Sequence, residues 1–154
     1  MNASPVQLQV YSLSKVLVVP IKPPELIPTT PPENFDWQGV NFKTEIEFGW
    51  VQDHTSQKEP CKFVVRLGVA IDNETGTSIP CNVDLEVIGY FELLGDIPVE
   101  DRMDIARVNG ASLLFGVLRE VLYSLTARFP TGQIILPCMN FLDLRDEHPV
   151  ASKT

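Results

Sequence analysis

Residues 96–130 constrain the fold of this chain most strongly, because their apolar side chains recur at helical spacing. Asp96 is the predicted N-cap, Pro98 suits a first helical turn, and Pro130 ends the helix because its ring removes a backbone donor. Leu113 and Val117 lie on a different face from the main stripe, which comprises Leu114, Leu118, Val121 and Leu125. A helix that is apolar on more than one face is predicted to pack against its own sheet and against a second subunit.

Small residues interrupt this helix, and they leave two explanations open. Gly110 and Ala111 are followed by Gly116, and a glycine costs about 1 kcal/mol relative to alanine inside a helix. One explanation is a break near Asn109 that splits the helix in two. The other is close approach of another backbone at an oligomer interface, whose predicted residues are Gly110, Ala111, Leu114, Gly116, Leu118 and Val121.

The segment before the helix has the alternation of antiparallel strands with one apolar face. A first strand begins at Val6, and its alternation blurs from Leu13 to Val19, which indicates a bulge near Ser12 or burial of both faces. Three further strands centre on residues 40–50, 62–72 and 82–92. Four strands followed by a helix indicate an α+β fold and not a parallel sheet. After the helix, Asn140 is predicted to cap a short last helix that packs on the same face of the sheet.

Six of the 13 prolines fall within residues 20–37, a stretch too apolar to be a simple linker. We expect a single domain over residues 1–154, with this stretch as a crossover loop and a frayed tail at 145–154. Apolar side chains of the crossover and of the last segment could together line a groove, or they could close the domain's own core. These residues are Leu26, Ile27, Phe35, Trp37, Met139, Phe141 and Leu144.

The charge of the chain argues against a nucleic-acid partner. Its formal net charge is −8, whereas nucleic-acid binding needs clustered Lys and Arg. No apolar run is long enough to span a membrane, and the first residues lack the basic region of a signal peptide. Three cysteines, an odd number, indicate reduced thiols, so the expected location is the cytoplasm.

No catalytic motif emerges from the sequence, so we expect a protein that is not an enzyme and that uses no cofactor or metal. Glycine-rich phosphate loops, nucleophile elbows and paired zinc-binding histidines are missing from the sequence. His54 and His148 lie in polar segments without companion ligands, and Cys138 has no histidine near it in sequence. What the sequence offers is apolar and aromatic side chains, which suit a promiscuous apolar binding surface because they supply large, adaptable contact area.

With these elements placed, the chain resembles the SecB family of export chaperones. The resemblance is carried by QVYSLSKVLVVP, by ENFDWQ with the strand behind it, and by LLFGVLREVLYSLTARFPTGQIILPCMNF. It implies an ATP-independent holdase for unfolded polypeptides in protein export, built as a homotetrameric dimer of dimers with the long helices between the dimers. It also implies a client groove between crossover, sheet and last helix, at the seven groove residues named above.

The sequence departs from that family where SecB docks the SecA motor. Ser14 and Val18 stand at positions that are acidic in the family, and Pro80 and Asn82 replace a leucine and an acidic residue. We therefore expect SecA docking to be weak or absent. The alternative function is a SecB-like chaperone or interaction partner dedicated to one client, such as an antitoxin. A small-ligand binder or an enzyme that uses the same pocket is the third hypothesis.

Overall fold

The computed structural model describes residues 4–21, 40–51, 61–73, 79, 81–129 and 132–145. They form four strands, one long helix and a 3₁₀ turn: β1 (Val6–Pro20), β2 (Asn41–Trp50), β3 (Lys62–Asp72), β4 (Cys81–Leu93), α1 (Val99–Thr126) and the turn Leu142–Arg145. The strands make one antiparallel sheet in the order β1-β4-β3-β2. The predicted α+β architecture with a four-stranded antiparallel sheet is confirmed.

The alternation of side chains along β3 and β4 builds the core. Phe63, Leu67 and Leu85 are among the residues with no measurable exposure, while their chain neighbours stay more open on the other face. Phe63 and Phe91 stack with ring centroids 5.0 Å apart. The apolar row of the sheet faces α1, and we call this side the helix side and the opposite side the outer face.

β1 contains two irregularities where the sequence pattern predicted one near Ser12. The register with β4 shifts between Leu8 and Val10 and again between Leu13 and Lys15, so Gln9 and Ser14 are the extra residues. Each extra residue keeps the strand paired while it rotates the side chains that follow. As a result, apolar side chains of β1 project from both faces of the sheet.

The helix α1 is continuous, so the predicted break near Asn109 does not occur. It begins at Val99 with Pro98 as its N-cap residue, and the predicted cap by Asp96 is wrong. Glu100 and Asp101 lie in the first turn, where the helix dipole favours negative charge. The helix ends at Thr126, and Pro130 lies outside the described residues.

Gly110 lies where α1 approaches the sheet closely. A Cβ atom on Gly110 would lie 2.9 Å from Cγ2 of Val65 and 3.3 Å from Cε2 of Phe63. On the sheet side, a Cβ on Gly89 would lie 2.7 Å from Cδ2 of Leu114. Close backbone approach therefore explains the glycine, as one of the two sequence hypotheses held, but the neighbour is the chain's own sheet.

The chain after α1 turns back along the helix. Gly132 adopts a φ of +87°, which is a backbone conformation that glycine reaches without strain. Ile134 and Leu136 then become fully buried, and Phe141 packs edge-to-face on Phe115 at 5.6 Å. The side chain of Asn140 accepts a hydrogen bond from the N–H of Leu142 at 3.1 Å, which confirms the predicted cap. The last helix is a single 3₁₀ turn.

Candidate functional site: apolar surface around the sheet

The structure places the three described groove residues in different environments. Met139 is exposed, at 38% of its maximum, whereas Phe141 is buried at 7% and Leu144 is half-buried against the core. Phe141 is thus chiefly a core residue, and Met139 is the one that offers free apolar surface. The remaining groove residues, Leu26, Ile27, Phe35 and Trp37, lie outside the described residues.

Four of the predicted interface residues are buried by the chain itself. Ala111, Leu114 and Leu118 have no measurable exposure, and Gly110 lies under β3. Side chains that fill their own core cannot also line a subunit contact. Gly116 is different, because no described residue lies within 4 Å of the Cβ that a larger residue would carry there. Val121 is half-buried.

The open face of α1 therefore holds only part of the predicted interface, with Gly116 beside Leu113 and Val117. Leu113 is exposed at 42%, and Val117, four residues on, is half-buried. Gly116 leaves a shallow pit of about 270 Å³ on this face, lined also by Arg119, Glu120, Tyr123 and Ile135. If α1 meets a second subunit, this is the face available for the contact.

Among the described residues, the largest concentration of exposed apolar side chains is on β1, where the sequence predicted a bulge or burial of both faces. Val10, Leu17 and Val19 are exposed at 57%, 50% and 45% on the outer face, while Tyr11 and Val16 are exposed on the helix side. A strand with a single apolar face would have buried half of these side chains. The signal in the sequence was the blurred alternation after Leu13, which marks a strand that is apolar on both sides.

Asp84 and Glu86 supply negative charge on the outer face near the predicted SecA-docking positions. Ser14 donates a hydrogen bond to Oε1 of Glu86 at 2.5 Å, and Lys15 forms a salt bridge with Asp84. The hydrogen bond from Lys15 to Asp84 raises the pKa of the lysine above its usual value. Val18, the second docking position, points to the helix side, since it pairs with buried Val83.

The three cysteines of the chain are free thiols. Cys61 and Cys138 are exposed, and Cys81 is buried beneath the end of β1. Burial raises the pKa of the Cys81 thiol to about 12, because the charged thiolate is disfavoured away from water. Nη1 of Arg119 lies 3.6 Å from Sγ of Cys138, so this contact joins α1 to the returning segment.

Comparison with solved structures identifies the fold. The structure matches the SecB-like chaperone Rv1957 of Mycobacterium tuberculosis over 87% of this chain and 90% of that one. The TM-score is 0.54 and the sequence identity is 20%. That chaperone was solved in complex with a ChAD peptide from the Rv1956 HigA1 antitoxin. The chain has a SecB-like fold. The resemblance that the sequence suggested is thus shown at the level of the fold.

Other comparisons add little about activity. The SecB-like fold also matches a protein of unknown function from Streptococcus agalactiae, with a TM-score of 0.50 and 17% identity over 86% of this chain and 97% of that one. An uncharacterized protein of Methanocaldococcus jannaschii, MJ0357, is 26% identical over 102 residues. The match spans 66% of this chain and 61% of the length of that relative. No protein-family profile matches the chain.

The described residues contain neither a group of three or more metal-ligating side chains nor a helix long and apolar enough to cross a membrane.

Proposed function

We propose that this protein is an ATP-independent holdase that binds non-native polypeptide segments through exposed apolar surface. The observation that carries the proposal is the SecB-like fold together with the large apolar side chains that the chain leaves in contact with water. Contiguous exposed apolar surface in a folded protein indicates a binding site for protein or membrane. Polypeptide is the favoured ligand here because one structural neighbour of this fold is a chaperone with a bound peptide.

Aggregation of a chemically denatured client after dilution into nucleotide-free buffer tests the proposal. We expect near-stoichiometric amounts of the protein to suppress the light scattering. Met139→Ala should weaken this suppression of aggregation. Trp37→Ala, in the crossover, is expected to weaken it too. Val99→Ala is the matched control, because Val99 is exposed at 52% at the far end of α1. Normal aggregation in the presence of the wild-type protein would refute the holdase function.

A dedicated partner is the second candidate function, and a specific observation favours it. The peptide bound to the structural neighbour comes from an antitoxin, which is one defined client. A pull-down from the native organism separates the candidates, since one dominant protein indicates a dedicated chaperone and many indicate a general holdase. We place both in the cytoplasm, because Cys61 and Cys138 are exposed free thiols. A role in protein export would further require SecA, and we expect SecA binding to be weak or absent.

We also propose that the protein acts as a homo-oligomer, and β1 supports this. Val10, Leu17 and Tyr11 are each at least half exposed in the single chain, and a strand apolar on both sides is stabilised by burial against another surface. A dimer of dimers would use the open face of α1 as well. Leu17→Lys should lower the mass measured by light scattering, while Leu94→Lys, at a position exposed to 48%, should not. An unchanged mass for Leu17→Lys would exclude β1 as the contact.

A further inference from the structure

The outer face of the sheet carries a row of apolar side chains that the described chain leaves open. Tyr90 and Val10 are exposed there at 47% and 57%, and Val64 and Ile88 beside them are half-buried. Among the described residues, α1 is the helix that packs on the sheet, and it lies on the opposite, helix side. Contiguous apolar surface of this kind is stabilised when another surface covers it.

The register of the strands gives the layout of the outer face. Two rows cross all four strands from β2 to β1: Gly49, Val64, Tyr90 and Val10, and, two rows along, Glu45, Gly68, Glu86 and Lys15. A third row, which contains Glu47 and Arg66, lies between these two. The side chains of one row project together, because directly opposed residues of neighbouring strands share a face.

The outer face is hollow over β2 and β3 and raised over β4 and β1. Gly49 and Gly68 carry no side chain, and shallow pits of about 310 Å³ and 300 Å³ lie around them. A Cβ on Gly49 would lie 3.4 Å from Cγ1 of Val64, an ordinary contact, so this strand has room for a larger residue. In the same row, Tyr90 and Val10 project into solvent. The two halves of the face therefore have complementary shapes.

A second copy, placed by a two-fold axis that runs parallel to the strands, brings these halves together. An axis between β3 and β4 sets β2 and β3 of one copy over β1 and β4 of the other, and it keeps each row opposite itself. Val10 of the second copy would then enter the pit at Gly49, and Tyr90 would lie over Val64. Sheets that pack face to face keep their strands within about 30° of each other, which this arrangement satisfies.

The charges of the outer face agree with the same axis. Lys15 would meet Glu45 of the second copy, and Lys62 would meet Glu92. Glu45 forms no salt bridge with any residue in the described part of the chain. An axis across the strands would instead place Glu45 against Glu47 of the second copy, where like charges repel. Charge therefore selects the axis that shape also selects.

The size of the face sets the strength of the contact. Strands about 4.8 Å apart, with the ten residues of β2 as their common length, give a face of about 600 Å² for the four-stranded sheet. Burying it on both copies removes roughly 1,200 Å² from water, which is the lower limit for a stable protein interface. The net charge of −8 on each copy opposes their approach. The expected dissociation constant is therefore on the order of micromolar.

We propose that two copies of this chain pack their outer faces together about a two-fold axis parallel to the strands, with Val10 of each copy in the pit at Gly49 of the other. This inference rests on the proposed homo-oligomer, and it specifies which face of β1 meets the second copy. It does not depend on the chaperone function, because α1 and the helix side stay open in this arrangement.

Filling the pit tests the contact without removing any side chain. Gly49→Val fits within the strand, and β-branched residues favour strands, so thermal stability should be kept or raised. The same change should halve the mass measured by sedimentation over a micromolar concentration series, because Val10 of the second copy loses its place. Thr44→Val, on the helix side of β2, is the matched control and should keep the wild-type mass. A folded Gly49→Val variant that associates like wild type would overturn the proposal.

Lysine substitutions on β1 show which face is used. Val10 and Val16 are exposed at 57% and 46% on the same strand, but they lie on opposite faces of the sheet. Val10→Lys should halve the mass, and Val16→Lys should leave it unchanged. If Val16→Lys alone lowers the mass, the homo-oligomer stands and the outer-face contact is excluded. If the wild-type protein is a monomer throughout the concentration series, the homo-oligomer itself fails.

A charge exchange between two variants tests the two-fold arrangement. Lys15→Glu and Glu45→Lys each oppose like charges twice in a pair of identical copies, so each should weaken association about tenfold. An equimolar mixture should regain the wild-type mass, since a mixed pair restores both attractions. Lys15→Glu also removes the surface salt bridge with Asp84, so circular dichroism checks that both variants fold. A mixture that stays as dissociated as its components would exclude this axis.

A different partner on the outer face would give another result. If Val10→Lys keeps the wild-type mass but loses a protein that wild type retains in a pull-down from the native organism, the face binds that protein and the proposal is overturned.

Discussion

The hydroxyl of Thr126 accepts a hydrogen bond from the backbone N–H of Ile134 at 2.8 Å, in a position with no solvent exposure. The same hydroxyl donates to the carbonyl of Leu122 at 2.8 Å. One side chain therefore satisfies a helix carbonyl and a buried donor of the returning segment. Through this contact the end of α1 positions the segment that carries Met139.

Thr126→Val should destabilise the protein by about 1–3 kcal/mol, because it leaves the N–H of Ile134 buried without an acceptor. Thr126→Ser keeps the hydroxyl and should lose less stability. Urea denaturation at one fixed protein concentration measures both free energies of unfolding. A loss in Thr126→Ser without a loss in Thr126→Val would show that the methyl group, and not the hydrogen bond, is what matters.

Alanine at Gly110 and at Gly116 should have opposite effects on stability. At Gly110 the new methyl group would meet Val65, and overpacking of this kind costs about 1–3 kcal/mol. At Gly116 it meets none of the described residues, so the gain in helix propensity, up to about 1 kcal/mol, should be visible. Thermal unfolding provides the comparison. A Gly116→Ala variant that instead loses mass in light scattering would show that a second helix contacts this site.

Substitutions at Phe141 and Met139 should distinguish a core residue from a residue of the binding surface. Phe141→Ala should cost about 3–5 kcal/mol because Phe141 is buried against Phe115, whereas Phe141→Leu should cost less than about 1.5 kcal/mol. Met139→Ala should change the free energy of unfolding by no more than about 0.5 kcal/mol and yet weaken client capture. Urea denaturation and the aggregation assay measure the two effects. Strong destabilisation by Met139→Ala would show that Met139 belongs to the core.

The buried thiol of Cys81 predicts a loss of stability at alkaline pH. Its folded-state pKa of about 12 exceeds the ordinary value of 9.0, so above pH 9 the unfolded chain releases a proton that the native protein retains. Stability from this group is therefore complete below about pH 9 and falls as the pH rises from 9 toward 12. In Cys81→Ala the decline between pH 9 and 11 should be shallower. An unchanged decline in Cys81→Ala would show that other groups cause it.

The sequence by itself determined the elements of this protein. Alternation in residues 62–72 and 82–92 predicted β3 and β4, and the stripe through Leu114 and Leu118 predicted α1, because both signals are local periods of apolar side chains. The cap by Asn140 was readable for the same reason, since capping involves residues close in sequence. The groove was predicted only as a set of apolar residues, and the described part divides it into buried Phe141 and exposed Met139.

The tertiary structure decided which neighbour each surface meets. Gly110 approaches Val65 and not a second subunit, and β1 leaves both of its faces exposed because α1 lies over β3 and β4 more than over the edge. β2 becomes a free edge only through the strand order, in which β4 returns between β1 and β3. These relationships join residues that are far apart in sequence. Apolar periodicity indicates that a side chain is buried, but it does not indicate which residues bury it.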